Sequence, residues 1–229
     1  MNFRKWILSI LAISFAAVSI ALGFWQLRRL SERRAANALL ASRRFAPEEQ
    51  LDSLPSDTAK AHFRRVRVRG AYDYANEIVL TLRVRNGSPG VNILTPVRRP
   101  GTDTTVLLNR GWVYAPDGVT IDTKPWREGD SVDANGFVEV FPTKGPFDTP
   151  NPARPRSMRR LNKSVLVTLF PYPIANYYVV LTDSARSANA PPRVEPAPLD
   201  EGPHRNYAIQ WFSFAAISII GLVIFLRRT

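Results

Sequence analysis

Two stretches of this chain carry no charged side chain, residues 6–27 and residues 207–226, and each is near the length a helix needs to cross a bilayer. The residues between them mix apolar and polar types, so the mean hydropathy of −0.14 averages over two different solvents. That middle stretch is long enough for one ordinary domain with its own core, and too short for two large ones.

The first run follows Arg4-Lys5, a short basic stretch of the kind that opens a secretory signal peptide. A signal core, however, spans roughly 7–15 residues, whereas this run reaches Trp25 and stops at Arg28-Arg29. Trp6 and Trp25 stand about 28 Å apart on a helix, which puts one indole at each membrane interface. An uncleaved anchor is therefore expected. Ala12, Ala16, Ser19 and Gly23 line one stripe of it, where a second helix can approach closely, although an alanine-rich segment also produces such a stripe by chance. The natural partner is the second run, which carries Ala208, Ala215 and Ser218 on one side.

With two spans both termini lie on one side, and Arg4, Lys5, Arg227 and Arg228 argue that this side is the cytoplasm. Arg28, Arg29, Arg33 and Arg34 argue the reverse locally, but long loops translocate largely regardless of charge. The expected order is a cytoplasmic N-terminus (1–5), a transmembrane helix (6–27), a stalk helix (28–46), a periplasmic β-rich domain with proline-rich loops (47–203), a second transmembrane helix (204–226) and a cytoplasmic C-terminus (227–229).

The formal charge is +12, and after the four basic residues flanking the apolar runs are set aside, 27 basic residues face 19 acidic ones in the middle. That excess favours acidic partners such as lipid headgroups, haem propionates or an acidic protein face. A domain tethered to a membrane at both ends argues against nucleic acid. The chain has no cysteine, which excludes disulfides and thiolate metal sites.

Within the middle region, residues 63–70 alternate Val66 and Val68 with Arg65, Arg67 and Arg69, the period of a strand with one buried and one basic face. The basic face is either solvated or a docking surface for an acidic partner. Residues 78–84, 91–98, 106–112, 135–141 and 177–182 are further strand candidates, separated by turn signals such as Asn86-Gly87, Pro100-Gly101 and Pro116-Asp117-Gly118. One short helix is expected over 163–170, a loop over 143–155 and a linker over 187–203. Asn109-Arg110-Gly111-Trp112 is expected to end a strand in a glycine turn, with its indole packed in the core or half exposed. Many short strands without regular helical alternation predict a membrane protein with two transmembrane α-helices flanking a mainly antiparallel β domain, either a sheet or a small barrel.

Chemistry-bearing patterns are sparse. The chain has two histidines, His62 and His204, and no phosphate-binding glycine loop, dinucleotide fingerprint or paired-histidine zinc helix, so an enzyme is not expected. His204 follows Gly202-Pro203, which is predicted to cap the second transmembrane helix with proline in its first position. The helix dipole there disfavours an imidazolium, and a neutral imidazole is the form that ligates haem iron. His204, Ala208, Trp211 and Ala215 share a face, on which the two alanines would leave room for a macrocycle, while Tyr207 and Trp211 anchor the interface and Arg205 pairs with a propionate. The competing reading is an interfacial histidine that caps the helix or meets headgroups.

Four segments in order resemble one family. They are Leu22-Gly23-Phe24-Trp25-Gln26-Leu27-Arg28-Arg29-Leu30, Phe63-Arg64-Arg65-Val66-Arg67-Val68-Arg69-Gly70, Leu108-Asn109-Arg110-Gly111-Trp112-Val113 and Gly202-Pro203-His204-Arg205-Asn206-Tyr207-Ala208-Ile209-Gln210-Trp211-Phe212. Together they resemble the Surfeit-locus-one proteins, a family of cytochrome c oxidase assembly factors. The resemblance implies a multi-pass protein of the bacterial inner membrane that works with the catalytic subunit of a terminal oxidase and with other assembly factors. It further implies assistance in delivering or inserting haem A, with His204 as the suspected iron ligand. The alternative within the same resemblance is a membrane scaffold that steadies oxidase subunits and never binds haem.

Overall fold

The structure is a computed structural model that describes residues 3–143, 151–183, 188–196 and 198–227. Contacts divide it into two compact units, Met1–Ser42 with Pro198–Thr229, and Arg43–Ala197.

The first unit is helical. α1 (Phe3–Arg44) runs without a break through the apolar segment and the basic stalk, and stops ahead of Pro47, whose ring disfavours helical conformation in the residue before it. Near the other end of the chain, α4 (His204–Arg227) is the second helix long and apolar enough to cross a membrane.

The second unit is built on a closed β-structure. Its elements are β1 (Glu49–Gln50), α2 (Thr58–Ala61), β2 (Arg65–Tyr72), β3 (Ile78–Arg85), β4 (Ser88–Arg98), β5 (Thr105–Tyr114), β6 (Ser131–Val140), β7 (Ser157–Met158), α3 (Lys163–Leu169) and β8 (Ile174–Leu181). Strands β2, β6, β8, β5 and β4 pair in that order, and β4 returns to β2 through Ala71↔Arg98 and Tyr72↔Val97, closing a five-stranded barrel. Within it only β5 and β8 run parallel. β3 lies outside the ring, joined to β4 through Asn86 and Gly87 at φ 51° and 78°, both left-handed as a two-residue hairpin turn of matching twist requires. Closure depends on backbones coming close: a Cβ on Gly70 would stand 2.3 Å from the Arg98 carbonyl oxygen, and one on Gly136 2.4 Å from that of Val180.

The barrel is filled from all five strands, by Val66 and Val68, Val97, Val106 and Leu108, Val132, Ala134 and Val138, and Val179 and Leu181. The alternation expected of β2 is therefore present, with its valines inside. β5 is buried on both faces, because Leu107 points outward beneath α3 with Leu94, Leu166 and Phe170. A strand covered on both sides reads as a continuous apolar run, as 106–108 does. α3 starts at Asn162, whose side chain accepts from the Ser164 N–H.

Four expectations are corrected. Phe63 is not in a strand; it holds φ 64° with its ring stacked between His62 and Phe137, and β2 begins at Arg65. Gly111 is not in a turn. β5 continues past it to Tyr114, and the glycine follows a bulge at Arg110 in the same strand, where the Pro191 and Pro192 carbonyls press in, leaving no space for a Cβ. The strand expected from 135 starts at Ser131, its outward Ser131, Asp133 and Asn135 alternating with inward Val132 and Ala134. The expected linker is partly a strap: the Trp112 N–H donates to the Pro192 carbonyl at 2.9 Å, while residues 187 and 197 lie outside the described residues. Of the loop expected over 143–155, residues 144–150 also lie outside the described residues, and 151–155 form turns.

Candidate functional site

α1 and α4 are antiparallel neighbours, and both follow one rule. The α1 residues turned inward are Ser9, Ala12, Ala16, Ser19, Gly23, Gln26 and Leu30, spaced alternately by three and four. On α4 the corresponding residues are His204, Ala208, Trp211, Ala215, Ser218, Leu222 and Phe225, again alternating four and three. This is the heptad seam of coiled-coil packing, with small residues letting the backbones approach. A Cβ on Gly23 would stand 2.6 Å from the Phe212 ring, and the Ser218 hydroxyl donates to the Ala12 carbonyl at 3.0 Å. The predicted small-residue stripe is the contact surface of the two helices.

That packing corrects one expectation. Ala208 and Ala215 are 2% and 4% exposed because α1 fills the space over them, so no macrocycle can lie on that face. The first α4 hydrogen bond runs from the Tyr207 N–H to the Pro203 carbonyl at 3.1 Å, which makes Pro203 the cap and His204 the first helical residue, one place earlier in the helix than expected.

His204 meets Gln26, whose side-chain oxygen lies 2.8 Å from Nδ1. An amide oxygen only accepts, so Nδ1 is the donor in this bond, which in the neutral ring places the lone pair on Nε2. Gly202, at φ 72°, leaves the Nε2 side open; a Cβ there would stand 3.6 Å from that nitrogen. The stretch before α4 is tied to α1. Arg34 grips Glu201 with two bonds of 2.8 and 2.9 Å, and the Asp200 carbonyl accepts from Arg33 and Asn37. The Arg34 hydrogen bond and charge hold the Glu201 carboxyl below its usual range and raise the Arg34 guanidinium above its own. Arg205 and Tyr207 are exposed beside His204, and Trp211 is half-buried with its ring edge-on to Phe214 at 5.8 Å. Four predicted residues thus share the start of α4, but only His204 has a polar partner on α1. Sequence reasoning missed Gln26 as that partner, although it continues the Ala12, Ala16, Ser19, Gly23 stripe by one further step of three.

In the β unit two of the three arginines on the basic face of β2, Arg67 and Arg69, are neutralised internally. Arg67 holds Asp133 bidentately at 2.6 and 2.9 Å, Arg69 reaches the same carboxylate at 3.2 Å, and Arg64 bonds Glu49 at 2.5 Å. The hydrogen bond from Arg67, helped by Arg69, brings the Asp133 carboxyl down to about 2.

Arg110, whose motif was legible, is fully buried. It donates to the Thr95 hydroxyl and to Glu77 Oε1, both at 2.7 Å, to Glu128 Oε1 at 3.2 Å and to the Trp126 carbonyl, and lies over the Tyr72 and Tyr74 rings. Glu128 is held from its other side by Arg193 of the strap at 2.6 and 3.0 Å. Two guanidiniums and two carboxylates thus balance within the core, consistent with a structural role. Among the described residues no group of three or more histidine, aspartate or glutamate side chains is placed to hold a metal ion.

The chain is similar in sequence to several known proteins. The chain is 28% identical to Surfeit locus protein 1 of Homo sapiens over 163 residues, 64% of this chain and 52% of that protein. It is 25% identical to a SURF1-like protein of Monosiga brevicollis over 231 residues, 94% of this chain and 86% of the relative. It is 30% identical to the cytochrome oxidase assembly protein SHY1 of Saccharomyces cerevisiae over 122 residues, 51% of this chain and 31% of the yeast protein. The chain spans 52% of the length of the human protein and 65% of that of the Takifugu rubripes one. The SURF1 family model matches residues 13–216, taking in most of both helices and the whole barrel between them, and on that match the chain belongs to the SURF1 family.

Proposed function

We propose that this chain is an assembly factor for a haem-copper terminal oxidase, and that it engages haem A through His204 at the start of α4. The observation that carries the haem reading is the Gln26–His204 pair. A metal-ligating histidine is normally oriented by a hydrogen bond from its other ring nitrogen, and Gln26 supplies that acceptor, which leaves Nε2 as the nitrogen turned away from α1's amide. The residues present fit the group at this atom: Gly202 keeps space beside Nε2, and exposed Arg205 offers a guanidinium for a propionate. Haem A would supply an iron for Nε2; the chain's own part is to fix the imidazole tautomer and its height along the helix. Because the Ala208 and Ala215 face is closed, His204 is the residue that would hold the iron and the space left beside its imidazole is on the Gly202 side.

In this reading α1 and α4 span the inner membrane, both termini are cytoplasmic, and the barrel stands in the periplasm. The bilayer, the oxidase catalytic subunit and other assembly factors are its partners, and the chain performs no catalysis. Protease protection of intact spheroplasts tests the orientation, with digestion of the barrel from outside as the expected result.

The closed alanine face favours a second reading, a scaffold that steadies oxidase subunits without touching haem. The two are separated by purifying the full chain from membranes that make haem A and recording visible spectra for the parent protein, His204→Ala and Gln26→Leu. Loss of haem in His204→Ala and a shifted or weakened band in Gln26→Leu are expected. Equal haem in all three would assign the scaffold reading instead. Unchanged oxidase and haem a levels on deletion of the chain would refute both.

A further inference from the structure

We propose that the β3 side of the barrel is a docking surface for an acidic, extended segment of a partner protein. This stands apart from the haem reading, since it rests on residues of the β unit alone. The starting point is where the excess positive charge is left uncompensated. Of the β2 arginines, Arg67 and Arg69 are paired with Asp133 and Glu48, and Arg64 just before the strand with Glu49, while Arg65 stands alone as the one β2 arginine outside these pairs. Among the described residues Arg83, Arg85, Arg154, Arg159 and Arg160 form no ion pair, and unlike the scattered arginines that share this, such as Arg65 and Arg127, they are clustered. All five gather around β3 and the β7 segment.

Arg83 sits between two hollows. One, of about 550 Å³, is lined by Arg85, Asn92, Trp112 and Glu195. The other, of about 320 Å³, is lined by Arg159, Arg160, Leu80, Leu161 and Tyr178. Burial, together with the like charges of Arg159 and Arg160, holds the Arg83 guanidinium below its ordinary value. The carboxylates nearby do not pair with it. Glu195 faces only the first hollow, and Asp117 is occupied by the Val119 and Thr120 N–H groups of its own turn.

The same side is apolar where it is not basic. Leu82, Val84 and Tyr114 are 50%, 72% and 56% exposed. Leu82 is turned outward by a bulge, at φ 55°, and kept there by its N–H bond to the Gly118 carbonyl at 2.7 Å. The Trp112 indole lies across Gly90, where a Cβ would stand 2.4 Å from the ring, so the glycine lets the indole form a floor. β7 pairs only with Val79 and Leu80, and beyond them the outer edge of β3 has no partner strand among the described residues. Arginines, an indole and a phenol around two hollows separated by one strand suit side chains arriving from an extended peptide, the composition found at the centres of protein interfaces. A lipid surface offers no side chains to fill separate hollows. The occupant is therefore a protein segment with carboxylates facing Arg83, Arg85, Arg159 and Arg160 and an apolar side chain for each hollow.

The test uses the full chain in phosphatidylcholine nanodiscs and a fluorescein-labelled peptide, Glu-Phe-Glu-Leu-Glu, followed by fluorescence anisotropy against its Gln-Phe-Gln-Leu-Gln counterpart. Arg159 and Arg160 are exposed, so Arg159→Gln/Arg160→Gln leaves the fold intact and carries the result. The acidic peptide is expected to bind, more weakly as salt rises, and to lose affinity about tenfold in the double variant, but not in Arg65→Gln on the opposite strand. Equal binding of the glutamine peptide, or an unchanged affinity in the double variant, overturns the proposal. So does binding of phosphatidylglycerol vesicles that is lost in the double variant while peptide binding persists, which assigns the surface to lipid. A photoreactive side chain at Val84 in cells should give a crosslinked peptide rich in aspartate and glutamate; a lipid adduct alone overturns the proposal.

Discussion

Replacing Arg110 by methionine tests whether the buried charge network holds the barrel together. Methionine keeps the apolar stem and removes the guanidinium. Glu77 then keeps only the Thr95 hydroxyl, at 2.6 Å, whereas Glu128 retains Arg193, so one of the two carboxylates is stranded. Removing one partner of a buried pair costs about 3–5 kcal/mol, and the rings of Tyr72 and Tyr74 lose their cation as well. For a domain of this size 1 kcal/mol moves the melting temperature by roughly 2–4 °C, so a fall on the order of 10 °C is expected. The measurement is thermal unfolding of the full chain in micelles, followed by near-ultraviolet circular dichroism. Arg110→Met/Glu77→Gln, which removes the stranded carboxylate, should recover about half of the loss, because replacing a buried pair costs less than breaking it. A melting temperature within about 3 °C of the parent, or a double variant no better than the single one, refutes this reasoning.

Three further outcomes are expected. Gly70→Val should prevent the barrel from closing, since its Cβ would stand 2.3 Å from a backbone oxygen that cannot rotate away, and limited proteolysis should then cut within β2–β4. The depressed Asp133 carboxyl contributes stability that is fully present above its unfolded value of 3.8 and lost as pH falls through about 2; the melting temperature of Asp133→Asn should therefore fall less than the parent's between pH 5 and pH 2, by a small, salt-sensitive margin because this pair is exposed. Gly23→Leu should push Phe212 away and part the helices, read as lost copper-catalysed crosslinking of an Ala12→Cys/Ser218→Cys pair, which is clean because the chain has no cysteine of its own.

The elements were largely legible because their signals are local. The Asn86-Gly87 hairpin, the Val66 and Val68 alternation and the short helix over 163–170 each follow from a few adjacent residues. What escaped was set by neighbours distant in sequence. Gly111 reads as a turn until Pro191 and Pro192 are known to lie against it. Arg65, Arg67 and Arg69 read as one basic face until Asp133 and Glu48 arrive from other elements. At the candidate site the four residues of α4 were placed by helical spacing alone, while Gln26, 178 positions earlier, could only be matched to His204 once the helices paired.

Charge-free length alone determined that this chain has two membrane-compatible helices, because a bilayer accepts few other backbones, and turn residues with period-two valines determined a β domain between them. Only the tertiary structure decided that the strands close into a barrel, that the alanine face of α4 belongs to α1, and that five arginines outside any ion pair gather around β3 and β7. The reason is physical: periodicity reports which side of an element avoids water, whereas the partner that covers that side is chosen by shape and charge brought together from across the chain.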